Sequence, residues 1–153
     1  MKKIFVILLF FAGATNIFAS TSFNINEKVL KNFQELFPDV KQPQWYEHES
    51  FYEVYFKDTN NQACRINYHL DGTVISVRRD YEVSALSPFI KAKVMEKYPE
   101  KKISGVFELS SELGIFYYMV LEDEKNVYNI RSDSQGSISL ESKFQQQKNA
   151  IEK

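Results

Sequence analysis

The chain has 153 residues, 44% of them apolar and 25% charged, which suits one domain with a real core. Nineteen basic and 20 acidic side chains leave a formal charge of −1, which argues against nucleic acid, a partner that calls for a basic stripe. No polybasic patch for a membrane surface occurs either. Cys64 is the only cysteine, so an exported form of the chain would have no internal disulfide.

The N-terminus reads as a targeting segment. Lys2 and Lys3 precede the apolar run Ile4 to Phe11, and Ala12, Gly13 and Ala14 then lower the bulk. Ile17-Phe18-Ala19 before Ser20 fits a small-residue cleavage site, so residues 1–19 are expected to be a signal peptide. The run is too short for a bilayer span, which takes about 20 residues. The released chain would have no stable membrane anchor and would work in the periplasm or as a secreted protein. Residues 20–153 carry 17 basic and 20 acidic side chains, a formal charge of −3.

A first amphipathic helix is expected after Asn26, a plausible N-cap. Val29, Phe33, Leu36 and Phe37 recur at the spacings of one helical face. It ends before Pro38, because proline disfavours a helical residue in front of it. Strands follow near 44–49, then over 51–57, 63–70 and 73–79. Asp71-Gly72 between the last two is a hairpin signal, since both residues tolerate positive φ. Cys64, Ile66 and Tyr68 alternate on an inward strand face, where Cys64 acts as a small buried hydrophobe. Trp45 and Tyr46 either join the rim of the open face or close the core at the end of the first helix, and for Trp45 core closure is favoured.

The pattern then repeats. Ser87 is placed as N-cap, with Pro88 at the first helical position. Ile90, Val94 and Tyr98 form the apolar face of a second helix that stops at Pro99. Strands are expected near 103–109 and over 114–121, 126–132 and 137–143, with a turn at Gln135-Gly136. Phe51–Gly72 lies over Ile115–Gly136 without a gap. The reading is α+β: two tandem helix-plus-four-strand repeats, about 26–81 and 86–144, forming one curved antiparallel sheet with two helices on one face. Residues 145–153 read as a polar tail.

Two such units behind a signal peptide resemble the exported β-lactamase-inhibitor-like, PepSY-like proteins. The resemblance covers about residues 26–144. It rests on the helix ends Phe37-Pro38 and Tyr98-Pro99 and on the turns Leu70–Val74 and Ser134–Ile138. It implies a curved sheet with helices on the convex side and an open concave face. In the inhibitors that name the family, that face grips a partner protein.

Alternation assigns the open face. Phe51, Glu53, Tyr55 and Lys57 are expected to point away from the helices, as are Arg65, Asn67 and His69. In the second copy Phe116, Tyr118 and Val120 are expected inward. Ile115, Tyr117, Met119, Leu121, Asn129 and Arg131 are expected outward. An apolar stripe on a face that should be solvated points to a partner. The candidate partner-binding residues are therefore Phe51, Tyr55, Arg65, His69, Tyr117, Met119 and Arg131.

Catalytic motifs are missing. There is no Gly-x-Ser-x-Gly elbow, phosphate loop or dinucleotide fingerprint, and His48 and His69 are the only histidines. No metal site or cofactor is expected. Ser110-Ser111 reads as a turn, and Glu122-Asp123-Glu124 as a solvated turn rather than a calcium loop. The expected function is a non-catalytic exported binding module, engaging an envelope or extracellular protein through the open face. The alternative is an envelope structural or small-ligand protein, whose apolar face forms a homodimer or holds a lipid-like molecule.

Overall fold

A computed structural model of the chain describes residues 25–146. The proposed signal segment, residues 1–19, and the tail from 147 onward lie outside them.

Helix α1 spans Glu27–Leu36 and is followed by strands β1 (Gln44–Glu47), β2 (Phe51–Lys57), β3 (Ala63–His69) and β4 (Val74–Tyr81). A single 3-10 turn, Val83–Ala85, leads to α2 (Pro88–Lys97). Then come β5 (Lys102–Ser111), β6 (Gly114–Glu122), β7 (Asn126–Asp133) and β8 (Ile138–Gln145). The eight strands form one sheet in sequential order, every neighbouring pair antiparallel. The architecture is the α+β double repeat expected from the sequence, with strand limits within a few residues of those read from alternation.

Helices of ten residues are marginal alone and are held by packing. Val29 and Phe33 of α1 are buried against Tyr52, Val54, Phe56, Cys64, Ile66 and Tyr68. Ile90 and Val94 of α2 are buried against Val106, Met119, Leu121, Tyr128 and Ile130. The cross-strand line Cys64–Arg79–Glu108–Tyr117 joins the two cores, so both helices cover the same face. Leu36, expected on the buried stripe, is 58% exposed, because α1 ends there and Phe37 takes the contact with Phe33 and Phe56. Trp45 packs edge-on against Phe33, within the first core.

Hairpin turns tie each half to its own helix. Gly72 (φ +96°) and Gly136 (φ +83°) sit at equivalent turns. A Cβ on Gly136 would stand 2.9 Å from Lys93 Cγ of α2, and one on Gly72 would meet Lys28 of α1 at 3.5 Å. The two turns thus need glycine for φ, and the second also for close approach. The Asn26 side chain accepts from the Lys28 amide as an N-cap. Ser87 holds the equivalent position, but its hydroxyl makes no capping bond.

One expectation is reversed. Met119 is 1% exposed and Leu121 fully buried, both beneath α2, and Tyr117 packs on the same core. Their neighbours Phe116, Tyr118 and Val120 therefore point to the open side. The cause is a shorter turn. Five residues, 58–62, separate the last paired residues of β2 and β3, but only four, 123–126, separate those of β6 and β7. The gapless overlay is right for β3 and β7 and one residue out for β2 and β6, which swaps every side chain of β6 to the other face.

The short turn is organised by Asp123 and is more than a solvated acidic run. Its carboxylate accepts from Lys101 Nζ at 2.7 Å, from the Tyr128 hydroxyl at 2.8 Å and from the amides of Lys125 and Asn126. These bonds, the Lys101 ammonium first, hold its carboxyl well below the usual carboxylate range. A depressed folded-state value means that the stabilisation is present above the unfolded value, about 4, and drains away as pH falls toward the folded one. Asp123→Asn should therefore lower stability at neutral pH and flatten its loss between about pH 4 and 2, as read from urea midpoints against pH. Met119→Ala should cost about 2–5 kcal/mol in the same assay, whereas Leu113→Ala, at an 86% exposed turn position, should stay within about 0.5 kcal/mol.

Candidate functional site

With both helices on one side, the other side of the sheet is left without a covering element among the described residues. Its first half is mixed. Phe51, Glu53 and Tyr55 of β2 lie beside His69, Asn67 and Arg65 of β3, pair by pair. Phe51 is stacked on His48 with ring centroids 4.2 Å apart. Arg65 Nε lies 3.6 Å from Glu53.

The second half is more aromatic. Phe107 of β5 and Tyr118 of β6 are directly opposed, with rings 4.9 Å apart and within 8° of parallel. Arg78 of β4 lies over the other face of Phe107, 3.9 Å from its centroid, and its guanidinium donates twice to Asp80. Arg131 of β7 sits over Phe116 at 5.1 Å and 3.4 Å from Glu141 of β8. Such cation–ring contacts contribute about 0.5–1 kcal/mol each at exposed sites. Half-exposed ion pairs add little to stability. Of the two arginines, only Arg78 is held by hydrogen bonds, to Asp80, as well as by its ring contact with Phe107.

Beside this row of large side chains lies a row of small ones. Gly105, Val120, Asn129 and Ser142 are cross-strand neighbours on β5 to β8. Asn129 Nδ2 donates to Ser142 Oγ at 2.8 Å. The step between the two rows is a depression of about 660 Å³, walled by Phe107 and Tyr118 and bordered by Arg78, Asp80 and Glu141.

Of the candidate residues, Phe51, Tyr55, Arg65, His69 and Arg131 stand on this face. Tyr117 and Met119 do not; they belong to the core under α2. Sequence reasoning placed Phe116, Tyr118 and Val120 inward and gave no role to Phe107, Arg78 or Asp80. In β5 the alternation of Glu108 and Ser110 with Phe107 and Leu109 would turn the apolar pair inward, so the strand itself carries no signal for Phe107 on the open face.

The opposite face holds a polar seam between the two cores. Tyr81 donates to Glu108 at 2.8 Å, and the Ser110 hydroxyl donates to the other oxygen of Glu108. Ser110 thus lies within β5 rather than in a turn. Burial, followed by the bond to Glu108, raises the Tyr81 hydroxyl above its ordinary value. Cys64 is buried, and that burial pushes its thiol up despite a lowering contribution from Arg79.

No protein-family model matches the sequence, and no curated protein is significantly similar to it. Solved structures do share the fold. A BLIP-like protein from Bacteroides fragilis superposes with a TM-score of 0.68 at 12% identity, over 84% of this chain and 93% of that one. A DUF2874 family protein from Bacteroides ovatus gives 0.64 at 14% identity, over 78% and 86%. A presumptive periplasmic protein from Bacteroides eggerthii gives 0.64 at 11% identity, over 78% and 88%. The fold is shared with BLIP-like proteins. That agrees with the resemblance carried by the two helix ends and the two turns.

The Cys64 environment makes a direct prediction. A thiol buried beneath α1 with a raised pKa should resist a neutral-pH disulfide reagent in the folded protein. Labelling should follow global unfolding, so its rate should rise with urea in step with loss of circular dichroism. Fast labelling in native buffer would contradict this placement.

Proposed function

We propose that the chain is a non-catalytic exported binding module that holds a protein partner against the open face of its sheet. The observation that carries this reading is the aromatic cluster of Phe107, Phe116 and Tyr118 on the side that neither helix covers, with Phe51 and Tyr55 on the same side beyond Arg65 and Arg78. Aromatic and arginine side chains are the types that interfaces favour, and Arg65, Arg78 and Arg131 all stand on this face, Arg78 hydrogen-bonded to Asp80. The binding set is Phe51, Tyr55, Arg65, His69 and Arg131, with Phe107, Phe116 and Tyr118 in place of Tyr117 and Met119.

Export is supported by the charged and apolar N-terminal pattern of residues 1–19 and by the presumptive periplasmic neighbour of the same fold. No helix of the described residues is long and apolar enough to cross a membrane. A non-catalytic role is supported by the state of the carboxylates on the face: Glu53, Asp80 and Glu141 are each engaged by an arginine. The BLIP-like name of one neighbour points the same way.

The test is affinity capture from an envelope extract with the parent chain and with Tyr55→Ala/Tyr118→Ala. Each aromatic anchor is expected to contribute at least about 1 kcal/mol, so the double variant should hold the partner ten- to thirtyfold more weakly, by order of magnitude about 1.4–2 kcal/mol. Circular dichroism checks that it stays folded. Equal retention by the folded variant and the parent would remove the open face from the reading. A second reading, a small-ligand carrier, is favoured by the depression beside Tyr118.

A further inference from the structure

The Phe107 and Tyr118 rings are nearly parallel and belong to directly opposed residues, so their stack runs across the strands. Arg78 closes it on the β4 side. The far face of Tyr118 therefore turns toward β7, where its directly opposed residue, Arg131, leans over Phe116, and the row Val120, Asn129 and Ser142 lies one pair further along the strands. An aromatic face is electron-rich and attracts polarised C–H groups. Beside it stand hydroxyl and amide groups that can both donate and accept, with the Glu141 and Asp80 carboxylates at the border.

The polar inventory narrows the ligand. Arg65, Arg78 and Arg131 are each tied to a carboxylate on the same face, so an anion would have to break an ion pair to bind. A lipid chain would strip water from Asn129, Ser142 and Glu141 and return no hydrogen bonds. A plain aromatic ring would continue the stack but leave the same groups unsatisfied. A ring that presents C–H groups on one face and hydroxyls around its edge meets both demands. The depression, about 660 Å³, falls in the size range of small-ligand sites.

We propose that this depression is a binding site for a neutral saccharide, with one pyranose ring laid on the free face of Tyr118 and its hydroxyls engaged by Asn129, Ser142 and Glu141. The site goes beyond the protein-binding reading and does not depend on it.

Gly105 supplies a variant that fills the site without harming the fold. A Cβ there would meet only Val120 Cγ2, at 3.9 Å, an ordinary contact, and its φ is not in the left-handed region. A β-branched residue suits a strand, and although Gly105 adjoins the irregularity between Ile103 and Gly105, Gly105→Val is expected to fold, which circular dichroism checks. The measurement is calorimetric titration of the full chain with neutral oligosaccharides of glucose, galactose, mannose and N-acetylglucosamine. N-acetyltyrosinamide serves as an aromatic probe without the hydroxyl edge. At least one oligosaccharide should bind saturably, at least tenfold more weakly to Gly105→Val and to Asn129→Ala, and unchanged to Leu36→Ala on the helix side. Binding of no oligosaccharide, binding indifferent to Gly105→Val, or binding of N-acetyltyrosinamide alone would each overturn the proposal. Protein capture without saccharide binding would overturn this site and leave the protein-binding reading standing; the reverse result would do the opposite.

Discussion

Everything in this fold follows from the need to cover one side of a meander. Eight sequential antiparallel strands satisfy their backbone groups with their neighbours, but such a sheet is stable only if one face is removed from water. Two ten-residue helices do this, each over its own half. Neither helix would persist without the sheet, and neither half-sheet would bury its tyrosines, valines and isoleucines without the helix. Once both helices lie on one side, the other side must face solvent or a partner. The position of the candidate site is thus a consequence of how the core is closed.

The halves are joined less uniformly than they are built. Backbone pairing of β4 with β5 runs from Ser76↔Ser111 to Tyr81↔Val106, so the ladder is unbroken. The helix-side surface above it is polar: Arg79, Glu108, Tyr81 and Ser110 separate two apolar cores. Polar groups on a half-buried face are tolerated when they find partners: Tyr81 and Ser110 both donate to Glu108, while Arg79 Nε is buried without a hydrogen-bond partner among the described residues. The seam marks where one repeat ends and the next begins, and it prevents the two cores from merging into one.

Much of this was legible in the residues, and the failures are instructive. In β2, Tyr52, Val54 and Phe56 alternate with Phe51, Glu53, Tyr55 and Lys57, and the two charged residues identify the outer face. In β6 the run Ile115 to Leu121 is apolar on both faces, so alternation has nothing to grip. Only the overlay on the first repeat sets its register, and the turn held by Asp123 is one residue shorter. Met119 and Tyr117 were displaced to the wrong side for that reason alone. The same ambiguity hid Tyr118, and the depression was hidden further because it joins five strands whose residues are far apart in the chain. Asp123 looked like one acid among three, since only the fold brings Lys101 and Tyr128 to it.

With the register corrected, the two repeats can be compared position by position. On the helix side Tyr52, Val54 and Phe56 match Tyr117, Met119 and Leu121, and Cys64 and Ile66 match Tyr128 and Ile130. Apolar answers apolar, because covering by a helix imposes the same demand twice. On the open side Glu53 matches Tyr118, Tyr55 matches Val120 and Arg65 matches Asn129. Here the pairs disagree in charge, size and hydrogen-bonding capacity. Folding places little demand on these positions, so their chemistry is free to differ, and the difference is concentrated around one depression. A face shaped only by the need to stay soluble would be polar in both halves. The second half instead spends half-buried aromatic surface on solvent, a cost that a bound ligand or partner would offset.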